Sequence, residues 1–189
     1  MTTVYVVQSG RTVWEDQSRF ESAAGSPLTE QGSAAVKSIA KELVKHKINV
    51  IYTSKGESER QTADLVAEVL GVKVRAKNDL REIDYGMWKG LSVVEIKRRH
   101  PKVYKQWTES PVSVRPSGGE SLEEVQERLR ESIREIVKRH KGDSSLVVLR
   151  PVALGLLRCV LDGTPVSDVW SQVTPGFTWD SYEMDAREI

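Results

Sequence analysis

The 189-residue sequence has few of the residues that build disulfide-bonded scaffolds or metal centres. It has one cysteine, Cys159, so no intramolecular disulfide can form, and we expect this side chain to be a small buried apolar group. No spacing of the zinc or calcium type occurs among the ligand residues, so we expect neither a metal nor a cofactor. This cysteine usage is compatible with a reducing cytoplasm, where we expect the protein to be found.

Long apolar runs are missing as well. No stretch approaches the roughly 20 residues that cross a bilayer, and the first apolar run, residues 4–7, is too short for a signal peptide. Charge is balanced, with 28 Lys and Arg residues against 27 Asp and Glu residues and a net charge of +1. We therefore expect neither a membrane nor a nucleic acid as a partner, and nothing in the sequence indicates an oligomeric state.

Short β-branched runs alternate with longer amphipathic segments. The runs predict strands at residues 4–7, 49–53, 72–75 and 145–149, and a further strand in the tail from Thr174. The amphipathic segments predict helices at residues 29–45, 58–70, 92–100, 122–141 and 151–161. Thr29 is the expected cap of the first, and Ser121 with Glu124 predicts a capping box for the longest. The alternation predicts one α/β domain over residues 1–189, with a mostly parallel central sheet between helices and a flap or insertion around residues 91–120.

Five short motifs follow one another along the chain. The first comes directly after the first predicted strand, and the others are separated by predicted helices and loops. They are residues 8–14 (Gln-Ser-Gly-Arg-Thr-Val-Trp), residues 28–32 (Leu-Thr-Glu-Gln-Gly), residues 52–54 with 60–63 (Tyr-Thr-Ser and Arg-Gln-Thr-Ala), residues 80–91 (Leu-Arg-Glu-Ile-Asp-Tyr-Gly-Met-Trp-Lys-Gly-Leu) and residues 116–121 (Pro-Ser-Gly-Gly-Glu-Ser).

In this order the motifs resemble those of the histidine phosphatase superfamily, also called phosphoglycerate mutase-like, which implies a three-layer α/β/α sandwich. The family mechanism needs a histidine nucleophile, arginines for the phosphoryl oxygens, a second histidine and a carboxylic acid. The resemblance puts Ser9 at the nucleophile, Gln8 at the preceding arginine and Ser58 at a phosphate-binding arginine. It puts Arg150 at the second histidine, and only Glu82, the acid, keeps its residue type.

The resemblance therefore implies a degenerate member of the family that lacks both catalytic histidines. The histidines that are present, His46, His100 and His140, stand in basic segments at predicted helix ends, where we expect surface positions. None follows a buried strand, where open α/β sheets place their ligand sites. We expect a catalytically inactive binding or regulatory protein, with a phosphorylated small molecule or a protein as its partner.

Arg150 has two interpretations at this stage. A guanidinium stays protonated and cannot accept a phosphoryl group, but it can bind an anion together with Ser9, Gly10 and Thr12. Alternatively, Arg150 forms an ion pair with Glu82 that fills the former pocket, which is the interpretation that we favour. The alternative function is an active phosphatase or phosphomutase-like hydrolase of phosphate esters that uses a rearranged site of Ser9, Glu82 and Arg150. A serine nucleophile would then need a neighbouring base.

Overall fold

The protein is described by a computed structural model that covers residues 1–21, 24–174, 176–187 and 189. Its strands form one sheet in the order β3-β2-β4-β1-β5. Four strands run parallel, namely β1 (Thr2–Gln8), β2 (Val50–Thr53), β3 (Lys73–Ala76) and β4 (Ser144–Leu149). The last, β5 (Trp179–Met184), pairs antiparallel with β1 at the edge of the sheet. The predicted α/β fold with a mostly parallel sheet is therefore confirmed.

In the described ranges, five helices follow the predicted segments and three further helices were not predicted. They are α1 (Val13–Asp16), α2 (Glu30–Leu43), α3 (Glu57–Leu70), α4 (Val93–Arg99), α5 (Pro101–Glu109), α6 (Leu122–Arg139), α7 (Pro151–Asp162) and α8 (Val169–Gln172), with short 3₁₀ turns at Val44–His46, Asn78–Leu80, Gly86–Trp88, Pro111–Ser113 and Val166–Asp168. The capping box of Ser121 and Glu124 at α6 is confirmed. Among the helices of the described ranges, none combines the length and apolarity of a membrane span.

Pro101 has a role that the sequence analysis did not predict. We expected it only to end the helix of residues 92–100, but it also occupies the first turn of α5. A proline suits that position because its fixed φ is helical and its missing N–H would have no partner there.

The core consists of two apolar clusters, one on each face of the sheet. Side chains alternate along each strand, so neighbouring residues belong to opposite faces. Val6 and Val147 pack with α6 and α7, whereas Val7 and Val148 pack with α2 and α3. This arrangement gives three layers, helices–sheet–helices. Cys159 is buried in the α7 layer, as predicted.

The second motif has a packing role at the start of α2. Thr29 caps the helix by accepting a hydrogen bond from the amide of Gly32 at 2.9 Å. A Cβ atom on Gly32 would lie 2.3 Å from the carbonyl oxygen of Arg11, so only glycine allows this approach. The motif thereby fixes α2 against the loop that follows β1.

Residues 91–120, the predicted flap or insertion, contain α4 and α5. Trp107 of α5 is buried, and its ring centroid lies 5.7 Å from that of Trp88. The segment is thus anchored to the α6 side of the core by aromatic packing. That it moves as a flap stays a prediction.

The expectation of three surface histidines was wrong for two of them. His46 is half-buried, with Nδ1 3.3 Å from the hydroxyl of Tyr5. His140 is half-buried too, with Nε2 2.9 Å from the hydroxyl of Tyr52. Both rings pack on aromatic side chains, which a basic helix end did not indicate. His100 is exposed as expected.

Candidate functional site

The predicted site lies at the carboxyl ends of β1 and β4, which are neighbours in the sheet. Gln8 pairs in register with Leu149, and the amide of Ser9 donates to the carbonyl of Leu149 at 2.7 Å. Arg150 is the next residue after β4. Because β1 leads to α2 on one face and β4 to α7 on the other, the crevice lies at a switch point of the sheet, where such folds bind ligands.

Arg150 lies at the centre of a buried ionic cluster. Only 5% of the residue is exposed. Its Nη2 atom lies 3.1 Å from Oε1 of Glu21 and 3.7 Å from Oε1 of Glu15. Its Nη1 atom donates to the hydroxyl of Ser58 at 3.4 Å, and that hydroxyl donates to Oε2 of Glu59 at 2.7 Å. The guanidinium is therefore held by carboxylates on α1, in the loop that follows it and, through Ser58, on α3.

The carboxylate of Glu82 binds backbone amides rather than Arg150. It accepts hydrogen bonds from Val152 at 3.0 Å and Ala153 at 2.7 Å, both in the first turn of α7. It also accepts from the amide of Ile83 at 2.9 Å. A carboxylate at this place satisfies unpaired N–H groups of the helix and complements its dipole. The predicted ion pair between Arg150 and Glu82 is therefore wrong.

The other residues of the predicted anion site are partly occupied by internal contacts. The amide of Gly10 donates to the hydroxyl of Thr62 at 2.9 Å. The hydroxyl of Thr12 accepts from a backbone amide of α1 and donates to Glu21. The hydroxyl of Ser9 is buried and has no hydrogen-bond partner among the described residues. With Arg150, three of the four predicted anion-binding residues thus already have partners, and only Ser9 does not.

Carboxylates outnumber cations in this cluster. Burial alone would lower the pKa of Arg150, but Glu15, Glu21, Glu59 and Glu82 outweigh it and the pKa lies above its ordinary value. Burial raises the pKa of Glu21 and of Glu82, although the charge of Arg150 acts in the opposite direction on both. The cluster therefore has a surplus of acidic groups, whereas phosphate sites bring several cations together.

Two cavities open beside the cluster. The larger, about 550 Å³, is lined by Gln8, Ser9 and Arg11 together with other polar and apolar residues. The smaller, about 300 Å³, is lined by Glu21, Glu82 and Arg150. Glu15 and Pro151 line both cavities and thus stand between them. None of the three histidines lines either cavity, and the described part of the chain holds no group of His, Cys, Asp and Glu side chains that could bind a metal ion.

Sequence reasoning missed the carboxylates that hold Arg150. Glu15 directly follows the first motif, and Glu59 directly follows Ser58, so both stand beside residues that the resemblance singled out. The signal that could have found them is physical: a buried guanidinium in place of a histidine requires carboxylate partners. Glu21 carries no local signal, because its segment has no regular pattern.

Comparisons with known proteins agree with the fold. The chain matches the family described as histidine phosphatase superfamily (branch 1) over residues 4–187. Phosphoserine phosphatase 1 of Hydrogenobacter thermophilus is 30% identical over 187 residues, which cover 99% of this chain and 89% of that protein. The structure of Bacillus stearothermophilus YhfR superposes with a TM-score of 0.87 at 32% identity, covering 90% of this chain and 85% of the other.

A phosphoglycerate mutase of Bacillus anthracis has the same fold, with a TM-score of 0.78 at 22% identity over 96% of this chain and 88% of the other. These matches extend over nearly the whole chain, and all five motifs lie within the residues matched. With its switch-point crevice between β1 and β4, this chain belongs to the histidine phosphatase superfamily.

Proposed function

We propose that this chain is a non-hydrolytic member of the superfamily, which binds its ligand or partner without transforming it. The observation that carries the proposal is the buried Arg150, which is paired with Glu21 at 3.1 Å. The resemblance assigns this residue to the place of the second histidine of the family. A guanidinium stays protonated near neutral pH, so it can neither accept a phosphoryl group nor act as a base. Ser9 has no histidine beside it in either cavity, and an unactivated serine hydroxyl is a weak nucleophile.

The charges of the site support the same proposal. A phosphate dianion is held by converging arginines and amides. Here Arg150 stands among four carboxylates, and the amide of Gly10 is bonded to Thr62. We therefore expect phosphorylated ligands to bind weakly, and a regulatory partner to be recognised without a phosphate clamp.

The second candidate is an active hydrolase of phosphate esters. It is favoured by the relatives, since a protein 30% identical over almost the whole chain is named a phosphoserine phosphatase. Such an enzyme would have to use Ser9 as nucleophile, with Glu82 and Arg150 in supporting roles. The names of the relatives favour this candidate, and the side chains of the site favour the first.

A hydrolysis assay separates the two candidates. Purified protein is incubated with p-nitrophenyl phosphate and with O-phosphoserine across pH 5 to 8, beside Ser9→Ala and Glu82→Gln variants. We expect phosphate release at the rate without protein, and no phosphorylated protein after incubation with radiolabelled substrate. A rate clearly above that background that is lost in both variants would overturn the proposal and establish the hydrolase. The control variant Glu68→Gln, at an exposed position outside the site, should then keep that rate.

A further inference from the structure

We propose that a basic groove between the edge strand β3 and helix α6 docks an acidic segment of a partner protein in an extended conformation. The basic groove is a space of about 790 Å³ on the α6 side of the sheet. Its lining residues include Tyr52, Arg75, Lys77, Ile136, Lys138 and Arg139. None of them lines either cavity of the crevice, so this docking surface is independent of the proposed function.

The cations of the basic groove are accessible and mostly unpaired. Arg75, Lys138 and Arg139 are exposed, and within the described part of the chain none of the three forms an ion pair with a carboxylate. Lys77 is compensated by Glu135 at 2.7 Å. Three positive charges therefore remain available to a partner, and charge complementarity selects an acidic one.

The imidazole of His140 reports the positive potential of this surface. Its Nε2 atom lies 2.9 Å from the hydroxyl of Tyr52, which lines the basic groove. Burial lowers the pKa of His140, and the charges of Arg75 and Arg139 lower it further, although Asp143 acts in the opposite direction. Two of the unpaired cations thus act on one point at the end of α6, and a carboxylate bound beside them would relieve their repulsion.

The backbone of β3 is open on the side away from β2. Among the described strands, β3 is the outermost of the sheet and pairs with β2 only. The amide of Lys77 donates to the carbonyl of Thr53 at the end of β2 at 2.8 Å. Because backbone groups alternate in direction along a parallel strand, those of Val74 and Ala76 face the open side. An unpaired edge of this kind is a template for an added strand.

A strand added to β3 would carry every second side chain over the basic groove. Arg75 and Lys77 line the groove, whereas Val74 packs with the α2–α3 cluster on the other face. Side chains of the added strand alternate between the same two faces. Acidic residues at every second position would therefore meet Arg75, Lys138 and Arg139. The partner segment is accordingly predicted to alternate acidic and neutral residues.

The same features disfavour other occupants. A second copy of this chain, paired edge to edge through β3, would bring Arg75 of both copies to neighbouring strands, where like charges destabilise pairing. A nucleic acid would meet the cations but leave the backbone of β3 unpaired. Tyr52 is the one aromatic side chain among the described lining residues, and at 4% exposure it offers no surface on which a base could stack.

The test is a titration of the full chain with the fluorescently labelled peptide Glu-Thr-Glu-Thr-Glu-Thr at about 50 mM salt, which leaves charges only partly screened. Fluorescence anisotropy and amide shifts in two-dimensional NMR spectra report binding. We expect saturable binding with shifts at Val74, Ala76 and Lys138. Three matched peptides separate the causes: Gln in place of Glu removes the charge, Glu-Glu-Glu-Thr-Thr-Thr removes the alternation, and N-methylation throughout removes backbone pairing. Each should bind at least about threefold more weakly.

Charge-reversal variants locate the site. Arg75→Glu and Arg139→Glu should each weaken binding of the Glu peptide by about threefold or more, and together by about tenfold or more. Arg98→Glu, at an exposed position of α4 outside the basic groove, changes the net charge equally and should leave binding unchanged. Lys138→Glu, also at an exposed position, replaces either groove variant that does not fold.

Several results would overturn the inference. They are no saturable binding of the Glu peptide, equal binding of the Gln peptide, equal binding of hexathymidylate, and equal losses in Arg75→Glu and Arg98→Glu. A dimer in sedimentation equilibrium that excludes the peptide would assign the edge of β3 to a second copy of the chain and would overturn it as well.

Discussion

Arg150 and Glu21 are each buried at a cost that the other offsets. Both are almost completely removed from solvent, and their charged atoms lie 3.1 Å apart. Removing one member of a buried pair leaves an uncompensated charge, which costs far more than the net value of the pair. The stability of the site is therefore a property of the pair and not of either residue.

Arg150→Met is expected to lower the free energy of unfolding by about 3–5 kcal/mol, because Glu21 would be left without its ionic partner. Adding Glu21→Gln to that variant should restore part of the loss, so the double-mutant cycle should show a coupling of at least about 1 kcal/mol. Urea unfolding measures the free energies of the parent, the two single variants and the double variant. Arg60→Met, at an exposed position, should stay within about 0.5 kcal/mol of the parent, and an equally small effect of Arg150→Met would contradict the prediction.

Glu21 also predicts a pH dependence of stability. Burial raises the pKa of its carboxyl in the folded protein above the value in the unfolded chain. Between the unfolded pKa, near 4.3, and the raised folded pKa, the folded state binds more protons. The contribution of Glu21 to stability is thus fullest below that window and falls as pH rises through it. As pH rises from about 4 to 7, the urea midpoint of the parent protein should therefore fall relative to the midpoint of Glu21→Gln. Parallel curves would show that the carboxyl titrates normally.

Among the elements, α6 organises the turn that carries Glu82. Arg128 of this helix binds both carboxylate oxygens of Glu120, at 3.0 and 2.9 Å. It also donates to the carbonyls of Asp79, Arg81 and Glu82 at 2.7, 2.8 and 3.1 Å. One guanidinium thereby joins the 3₁₀ turn at Asn78–Leu80 and its continuation to the helix.

Arg128→Met is expected to cost about 1.5–3 kcal/mol or more, because several charge-assisted hydrogen bonds are lost at once. Since the turn positions Glu82, amide exchange at Val152 and Ala153 in α7 should also become faster. Unfolding and hydrogen-exchange measurements check the two effects. Arg130→Met, which loses only a surface pair with Glu127, should cost at most about 1 kcal/mol and leave α7 exchange unchanged. Unchanged amide exchange at Val152 and Ala153 in Arg128→Met would contradict the prediction, because it would show that the contacts of Arg128 with the turn do not position Glu82 at the start of α7.

Local signals predicted the elements well, and the contacts between distant segments poorly. The capping box of Ser121 and Glu124 spans three residues, and the left-handed Gly71 follows directly on α3, so both could be read from neighbouring positions. The sequence also indicated that Arg150 needs a carboxylate. We predicted Glu82 as that carboxylate, because the resemblance had already assigned this residue to the pocket. The choice of Glu21 depends on how the loop after α1 folds over the crevice, which no local pattern encodes.

On the scale of the whole molecule, two separate apolar clusters share one sheet. Leu146 and Leu149 both lie on β4 and are fully buried, but Leu146 belongs to the α2–α3 side and Leu149 to the α6–α7 side. Folding of either helical layer therefore requires the same strand to be in place, and the two layers should unfold together.

Leu146→Ala and Leu149→Ala are each expected to cost about 2–5 kcal/mol, through lost burial and the cavity left behind. Because the clusters lie on opposite faces, the losses should add to within about 0.5 kcal/mol, and each variant should keep a single cooperative transition. Urea unfolding followed by both tryptophan fluorescence and far-ultraviolet circular dichroism tests this. Two separated transitions in either variant would mean that the layers are independent.

The position of β1 in the sheet has a consequence for the synthesis of the protein on the ribosome. This strand is synthesised before its ladder partners, which are β4, starting at Ser144, and β5 beyond it. At ordinary rates of translation the partners follow on the order of ten seconds later. During that interval the valine-rich strand has unpaired amides, and α7, which covers one of its faces, has not been synthesised. Unpaired amides and exposed valines are features of an aggregation-prone segment. The chain therefore has to stay soluble during synthesis while this strand is exposed, although the strand is paired and buried in the folded protein.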